Sequence, residues 1–312
     1  MALREEFQFP SSDGVHQIHG LRWLPQDQTP RATVQLVHGI SEYIGRYDAF
    51  ARFLTDHGFA VAGHDHLGHG GTALDKSEYG FFSDKDGWDY LVRDVKALRD
   101  DLASRFPGVP HFLLGHSMGS FVARTYLIEY PGTVDGCLLL GTGQEAPALV
   151  AFGKAVSGAL CHLRGNRHHS TLVTALSLGA YNAQFRPART GADWISRDTA
   201  VVDAYVSDPL CRFVPTVGMF RDMMGGLQRI SDPKGLARMD PETPVGIFSG
   251  DADPVGGRGK GVRTVEGFFR RAGCRDLTVK LYPGARHELL NETNREEVFA
   301  DLLAWLEKHL EV

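Results

Sequence analysis

Three short segments, ATVQLVHG (32–39), HFLLGHS (111–117) and GCLLLGTG (136–143), are apolar runs that stop at glycine or a polar turn residue. Two more, TPVGIFSGD (243–251) and LTVKLYPGA (277–285), come late in the chain, and GFAVAGHDHLGHG adds another near 59–64. Such runs are how strands read when both faces of a parallel sheet are covered. Between them the spacing becomes helical, in YDAFARFLTDHG (47–58), GWDYLVRDVKALRDDLASRFPG (87–108), SFVARTYLIEYPG (120–132) and REEVFADLLAWLEKHL (295–310). Several of these stop at Gly or just before Pro-Gly, as helices do. The alternation predicts an α/β fold: a mostly parallel central sheet with helices on both faces. The first 25 residues differ, and EEFQFPSSDG followed by HQIHGLRWLP, with a turn at Ser12-Asp13-Gly14, predicts an antiparallel hairpin.

From about Gln144 to Asp240 the alternation breaks down into APALVAFGKAVSGALCHL, a basic turn RGNRHH, STLVTALSLGAY and VPTVGMFRDMMGGLQRI. These read as helices and loops inserted between two strands, forming a cap over the C-terminal edge of the sheet, where open α/β folds place ligands. The expected organisation is a core of residues 1–143 and 241–312 interrupted by a cap at 144–240.

Composition narrows the classes of function. At 312 residues and 43% apolar the chain can bury a large core, and 33 basic against 38 acidic residues give a net charge of −5. Neither sign collects into a block, so no nucleic-acid partner is expected. Cys137, Cys161, Cys211 and Cys274 are far apart and form no C-x-x-C pair, which favours a reducing compartment. Charges interrupt the first residues where a signal peptide needs its apolar region, and no apolar run approaches a membrane span, so the expected location is the cytoplasm.

The chemistry centres on FLLGHSMGSFVART, in which Ser117 occupies G-x-S-x-G where a buried strand runs into a helix. That context suits a nucleophile elbow: Gly115 and Gly119 make room, and Met118 offers its backbone N–H to an oxyanion. A plain helix N-cap is the competing reading of Ser117. A serine needs a base, and the base needs a carboxylate to fix its tautomer. FSGDADPV places Asp251 and Asp253 just after one late strand, and YPGARHELL places His287 just after the next. The order serine, acid, histidine is satisfied with either aspartate.

Taken together, VHGISEYIGRYDAFARFL, GHDHLGHGGT, GHSMGS, VDAYVSDPL, SGDADPV and YPGARHELLNE resemble the α/β-hydrolases, and within them the monoacylglycerol lipase and lysophospholipase-like serine hydrolases, over nearly the whole chain. The resemblance implies an α/β-hydrolase fold and a serine esterase acting on monoacylglycerols or lysophospholipids, with a small-ester carboxylesterase as the alternative. It implies Asp253 as the acid, because the family acid ends a G-x-x-D pattern. It implies that the Ile40 N–H, after His38-Gly39, joins that of Met118 in an oxyanion hole. Glu42, Arg46 and Tyr205 match positions around the pocket for the alcohol part, the alternative being a solvated i, i+4 pair of Glu42 with Arg46. No metal or organic cofactor is implied.

Other residues carry weaker signals. His116 reads as packed behind the site rather than as a second base. His64, Asp65, His66 and His69 could ligate zinc, the basis of a rival metallohydrolase reading, but further ligands are lacking. His162, His168 and His169 read as a solvated loop. In the cap, Leu149, Val150, Phe152, Leu160, Leu172, Leu176, Val217, Met219, Phe220, Met223 and Met224 suit an acyl-chain tunnel or simply pack the cap, and some could touch a membrane surface transiently. A non-catalytic binding protein of this fold would be expected to lack part of the triad, and all three positions are filled.

Overall fold

The computed structural model describes residues 3–26, 29–211 and 213–310; the side chains of Leu176 and Leu178 also lie outside the described set. Eight strands form one sheet: β1 (Leu3–Pro10), β2 (Gln17–Leu24), β3 (Thr33–Val37), β4 (Ala60–His64), β5 (His111–His116), β6 (Gly136–Leu140), β7 (Val245–Gly250) and β8 (Leu277–Tyr282). Their order is β1-β2-β4-β3-β5-β6-β7-β8. The hairpin β1–β2 is antiparallel and joins β4 antiparallel, and every other pairing is parallel. The expected α/β architecture with its leading hairpin is what forms.

Each inner strand is apolar throughout because alternate residues serve two different cores. Val34, Leu36, Phe112, Leu114, Leu138, Leu140 and Phe248 face the layer of α1 (Asp48–Asp56) and α11 (Arg295–Lys308), where Phe50, Leu302 and Trp305 are buried. Val37, Leu113, Cys137, Leu139 and Ile247 face the layer of α2 (Gly87–Arg105), α3 (Met118–Glu129) and α10 (Lys260–Arg271), with Trp88, Val122, Tyr126 and Phe269. A one-residue slip in any inner strand would exchange the two sets, so the packing of both layers fixes the register.

Between β6 and β7 the chain forms α4 (Pro147–Arg164), α5 (Thr171–Leu176), α6 (Leu178–Asn182), α7 (Thr199–Ser207), α8 (Val217–Arg229) and α9 (Pro233–Leu236). Arg124 ties this insertion to the core. It is buried on α3 with no carboxylate partner among the described residues, and its guanidinium donates to the carbonyls of Gly143 and Ile230 and to Gln144 Oε1. Burial lowers its pKa to about 9, and the three neutral acceptors supply what water would otherwise give.

Candidate active site

Ser117 stands between β5 and α3 with φ 53° and ψ −122°, a region that costs a non-glycine residue free energy. Its surroundings hold it there: the Ser117 N–H donates to the Leu140 carbonyl at 2.9 Å, and Ser120 Oγ donates to the Ser117 carbonyl at 2.6 Å. A Cβ on Gly119 would lie 2.0 Å from the Val37 carbonyl oxygen, and one on Gly115 would lie 2.4 Å from the Gly119 oxygen. The two flanking glycines therefore let strand and helix close on the elbow.

His287 and Asp253 arrive on the loops after β8 and β7. The imidazole Nδ1 lies 3.1 and 3.0 Å from the two Asp253 carboxylate oxygens, and both side chains are buried. The Val255 N–H donates to Asp253 Oδ1 at 2.8 Å and fixes the carboxylate from the other side. Asp251 is exposed and accepts from the Gly284 N–H at 2.7 Å, bracing the turn after β8. The geometry thus brings Asp253 and not Asp251 to the imidazole.

Ile40, Ser117 and Met118 line one cavity of about 550 Å³, counting its mouth, whose apolar wall includes Phe121, Trp194, Met223 and Met224. Among the described residues, neither the Ile40 nor the Met118 backbone N–H donates to a protein acceptor. A Cβ on Gly39 would lie 3.0 Å from Ser117 Cβ and 2.7 Å from Glu42 Oε1, so only glycine brings this turn so close to the elbow.

Behind the histidine lies a buried ionic network. Glu42 Oε1 accepts from the Gly39 N–H, from Tyr47 Oη at 2.9 Å and from His116 Nδ1 at 2.9 Å, while Oε2 accepts from Arg46 at 3.1 Å. Arg46 reaches on to Glu288 with two bonds of 2.7 Å, and Tyr205 covers it with its ring 5.0 Å away. The Glu42–Arg46 pair exists, but it is buried and bonded to other groups, which removes the solvated-pair alternative. Burial alone would raise the Glu42 carboxyl; His116 and Arg46 outweigh it and hold its pKa far below the usual range. Burial likewise opposes charge on His116, but the adjoining Glu42 carboxylate raises its pKa. His116 is a packed neighbour, with its ring centroid 4.8 Å from that of His287.

Of the buried histidines at or just after the ends of β3 and β4, both ring nitrogens of His64 and Nδ1 of His66 find no partner among the described residues, whereas His38 and His69 spend theirs on the backbone. His38 Nδ1 donates to the Gly39 carbonyl and its Nε2 accepts from the His66 N–H; His69 Nδ1 donates to Leu67 O and its Nε2 accepts from the Ser41 N–H. Among the described residues no three ligand-type side chains converge as a metal site requires. The cluster instead shapes the turn that carries Ile40.

The residues of the inserted segment divide among the alternatives open to them. Of the apolar residues read as tunnel wall, Met223 and Met224 line the cavity. Val150, Val217, Met219 and Phe220 are buried in packing, Leu149, Phe152 and Leu172 are exposed, Leu160 is half-buried, and the Leu176 side chain lies outside the described residues. In the basic loop, His162 and His169 are exposed, whereas His168 is half-buried. Sequence reasoning missed Trp194, Glu288 and Gly141. Gly141, at φ +55°, lies so close to His287 that a Cβ would sit 3.1 Å from the ring. Nothing in local spacing marks these residues: Trp194 and Gly141 meet His287 from distant segments, and Glu288, next to His287 in the chain, finds its partner Arg46 across the fold.

The model of the family described as serine aminopeptidase, S33 matches residues 28–294. The chain is 30% identical to a monoacylglycerol lipase of Mycolicibacterium smegmatis over 99% of both proteins. It is also 30% identical to the human monoglyceride lipase, over 91% of this chain and 84% of that one. Among solved structures, a thermostable carboxyl esterase from Bacillus coagulans in complex with glycerol superposes with a TM-score of 0.91 at 29% identity, covering 98% of this chain and 99% of the other.

Proposed function

Because this chain belongs to the serine aminopeptidase S33 family of α/β-hydrolases and is a monoacylglycerol-lipase-like ester hydrolase, we propose that it cleaves monoacylglycerols or lysophospholipids through an acyl-enzyme on Ser117. Ser117 Oγ attacks the acyl carbonyl while His287 Nε2 takes its proton, and Asp253 holds Nδ1–H and stabilises the imidazolium. The amides of Ile40 and Met118 receive the developing oxyanion. His287 then gives its proton to the departing alcohol, a water attacks the ester on Ser117 with His287 again as base, and the fatty acid leaves. The observation that carries this reading is the buried Asp253–His287 bond at 3.0 Å, with Val255, two residues past Asp253, lining the same cavity as the strained Ser117.

The long-chain substrate is supported by the apolar wall at Phe121, Met223 and Met224. We read residues 144–240 as the cap, and Glu42 and Arg46, with Tyr205, as support for the alcohol end of the pocket. Exposed Leu149, Phe152, Leu163 and Leu172 suit transient contact with a lipid surface. Among the described residues no helix is long and apolar enough to cross a membrane. Four free cysteines accord with a reducing, cytoplasmic setting. A small-ester carboxylesterase is the second reading, favoured by the likeness to the carboxyl esterase bound to glycerol.

One panel tests these points: p-nitrophenyl esters of rising chain length and monoacylglycerols, below and above their aggregation concentration, on wild type and Ser117→Ala. We expect a loss of at least ~10⁴-fold in kcat for the variant and a rise in kcat/KM with chain length. Activity retained by Ser117→Ala rejects the serine mechanism. Preference for short esters selects the second reading, and indifference to aggregation removes the surface contact.

A further inference from the structure

Asp253 alone does not define the attitude of the His287 ring. Its bond to Nδ1 is shared between both carboxylate oxygens at 3.1 and 3.0 Å, which locates the nitrogen but leaves the imidazole free to tilt about it. What limits the tilt is packing. His116, itself held by Glu42, lies 4.8 Å away between ring centroids, and Trp194 lies 4.9 Å away with its plane inclined by 36°.

Trp194 comes from the segment between α6 and α7, and this segment is bonded to the His287 loop residue after residue. The Glu288 N–H donates to the Ile195 carbonyl at 2.7 Å, and Ser196 Oγ donates to the Asn291 carbonyl at 2.9 Å. Arg286 donates to the carbonyls of Asp193 and Ser196, and Arg197 pairs with Glu292 at 2.8 Å. The indole is almost wholly buried, at 7% exposure, and packs with Tyr181 at 5.2 Å. A bulky ring is thus strapped against the imidazole by bonds on both sides of it in sequence, while its outer edge faces the cavity.

We propose that Trp194 is a positioning residue for His287, holding the imidazole in the plane from which Nε2 serves Ser117. The proposal rests on the Ser117–His287–Asp253 reading above. It makes the strap part of the catalytic geometry, so that loss of the indole slows chemistry rather than weakening substrate binding. A ring that merely walls the cavity would act the other way.

The test is hydrolysis of p-nitrophenyl acetate, whose acyl group is too short to engage the apolar wall, by Trp194→Leu and Trp194→Phe in the wild-type and in the His287→Ala background, with Ser117→Ala alongside. Trp194→Leu should lower kcat by ~10- to 100-fold, as expected for a misplaced catalytic group. KM should stay within about threefold, and Trp194→Phe, which keeps a flat ring, should retain kcat within about threefold. In the His287→Ala background Trp194→Leu should cost nothing further, because there is no imidazole left to place. Equal losses in both backgrounds, an unchanged kcat in Trp194→Leu, or a Trp194→Phe as slow as Trp194→Leu overturns the proposal. Should Trp194→Leu fail to fold by circular dichroism, Trp194→Met takes its place in the cycle. Activity retained by Ser117→Ala would bring down the underlying mechanism, an outcome distinct from all of these.

Discussion

Two aspartates two residues apart meet opposite fates in this molecule. Asp253 is buried against His287, and Asp251 is exposed and braces a turn. Asp253→Asn presents an amide to Nδ1, favours the wrong tautomer and should lower kcat by ~10⁴-fold. Asp251→Asn should leave kcat near wild type and cost about 1 kcal/mol in stability through one weakened hydrogen bond. Parallel kinetics and urea denaturation decide it, and the reverse pattern would transfer the role to Asp251. Spacing in the sequence left this choice open, since both residues follow β7; family resemblance and then burial separated them. Ser117 and His287 were legible because an elbow and a chain order are local signals. Trp194 and Glu288 were not, because a side chain's partner across the fold leaves no trace in its own neighbours.

At the scale of elements, strands covered on both faces could be read directly, as β3, β5 and β6 illustrate: with no face turned to water, nothing polar interrupts the run. The edge strand β8 is only half-covered, so its Lys280 can pair outward with Glu297 and Asp301. Helix α8 explains why the segment inserted between β6 and β7 was harder. Met219 and Phe220 share a side of it with Met223 and Met224, four residues on, yet the first pair packs in the interior and the second pair reaches the cavity. Periodicity identifies a face; it says nothing of what lies opposite as the helix axis advances. The short helices α5 and α6, at six and five residues, are below the length at which a period can be recognised at all.

For the whole molecule, buried neutral histidines set the response to acid. Burial pushes His64, His69 and His111 down to about 3 from an ordinary 6.5. Unfolded, each binds a proton as pH drops through 6.5; folded, each stays neutral until about pH 3. In that interval the unfolded state holds more protons, so stability is full above pH 6.5 and declines as pH falls. These three alone give a slope of roughly 4 kcal/mol per pH unit below about pH 5.5, and His38 and His66, also pushed down by burial, add to it in the same direction. His16, His19 and His116 have raised values, are protonated in both states there and add no slope. Urea midpoints should therefore fall steeply between pH 6 and pH 5, and a flat profile would mean that these rings are reached by water in the native state.

The elbow has a thermodynamic side as well. A serine at φ 53° carries roughly 1–3 kcal/mol of conformational cost that glycine would not. Ser117→Gly should accordingly be hydrolytically dead yet melt several degrees above the native enzyme, and a lower melting temperature would mean that the lost hydroxyl and Cβ contacts outweigh the relieved torsion. If it melts higher, the fold is giving up robustness at one position to keep a reactive hydroxyl displayed, and thermostability screens without an activity assay would select against the catalyst itself.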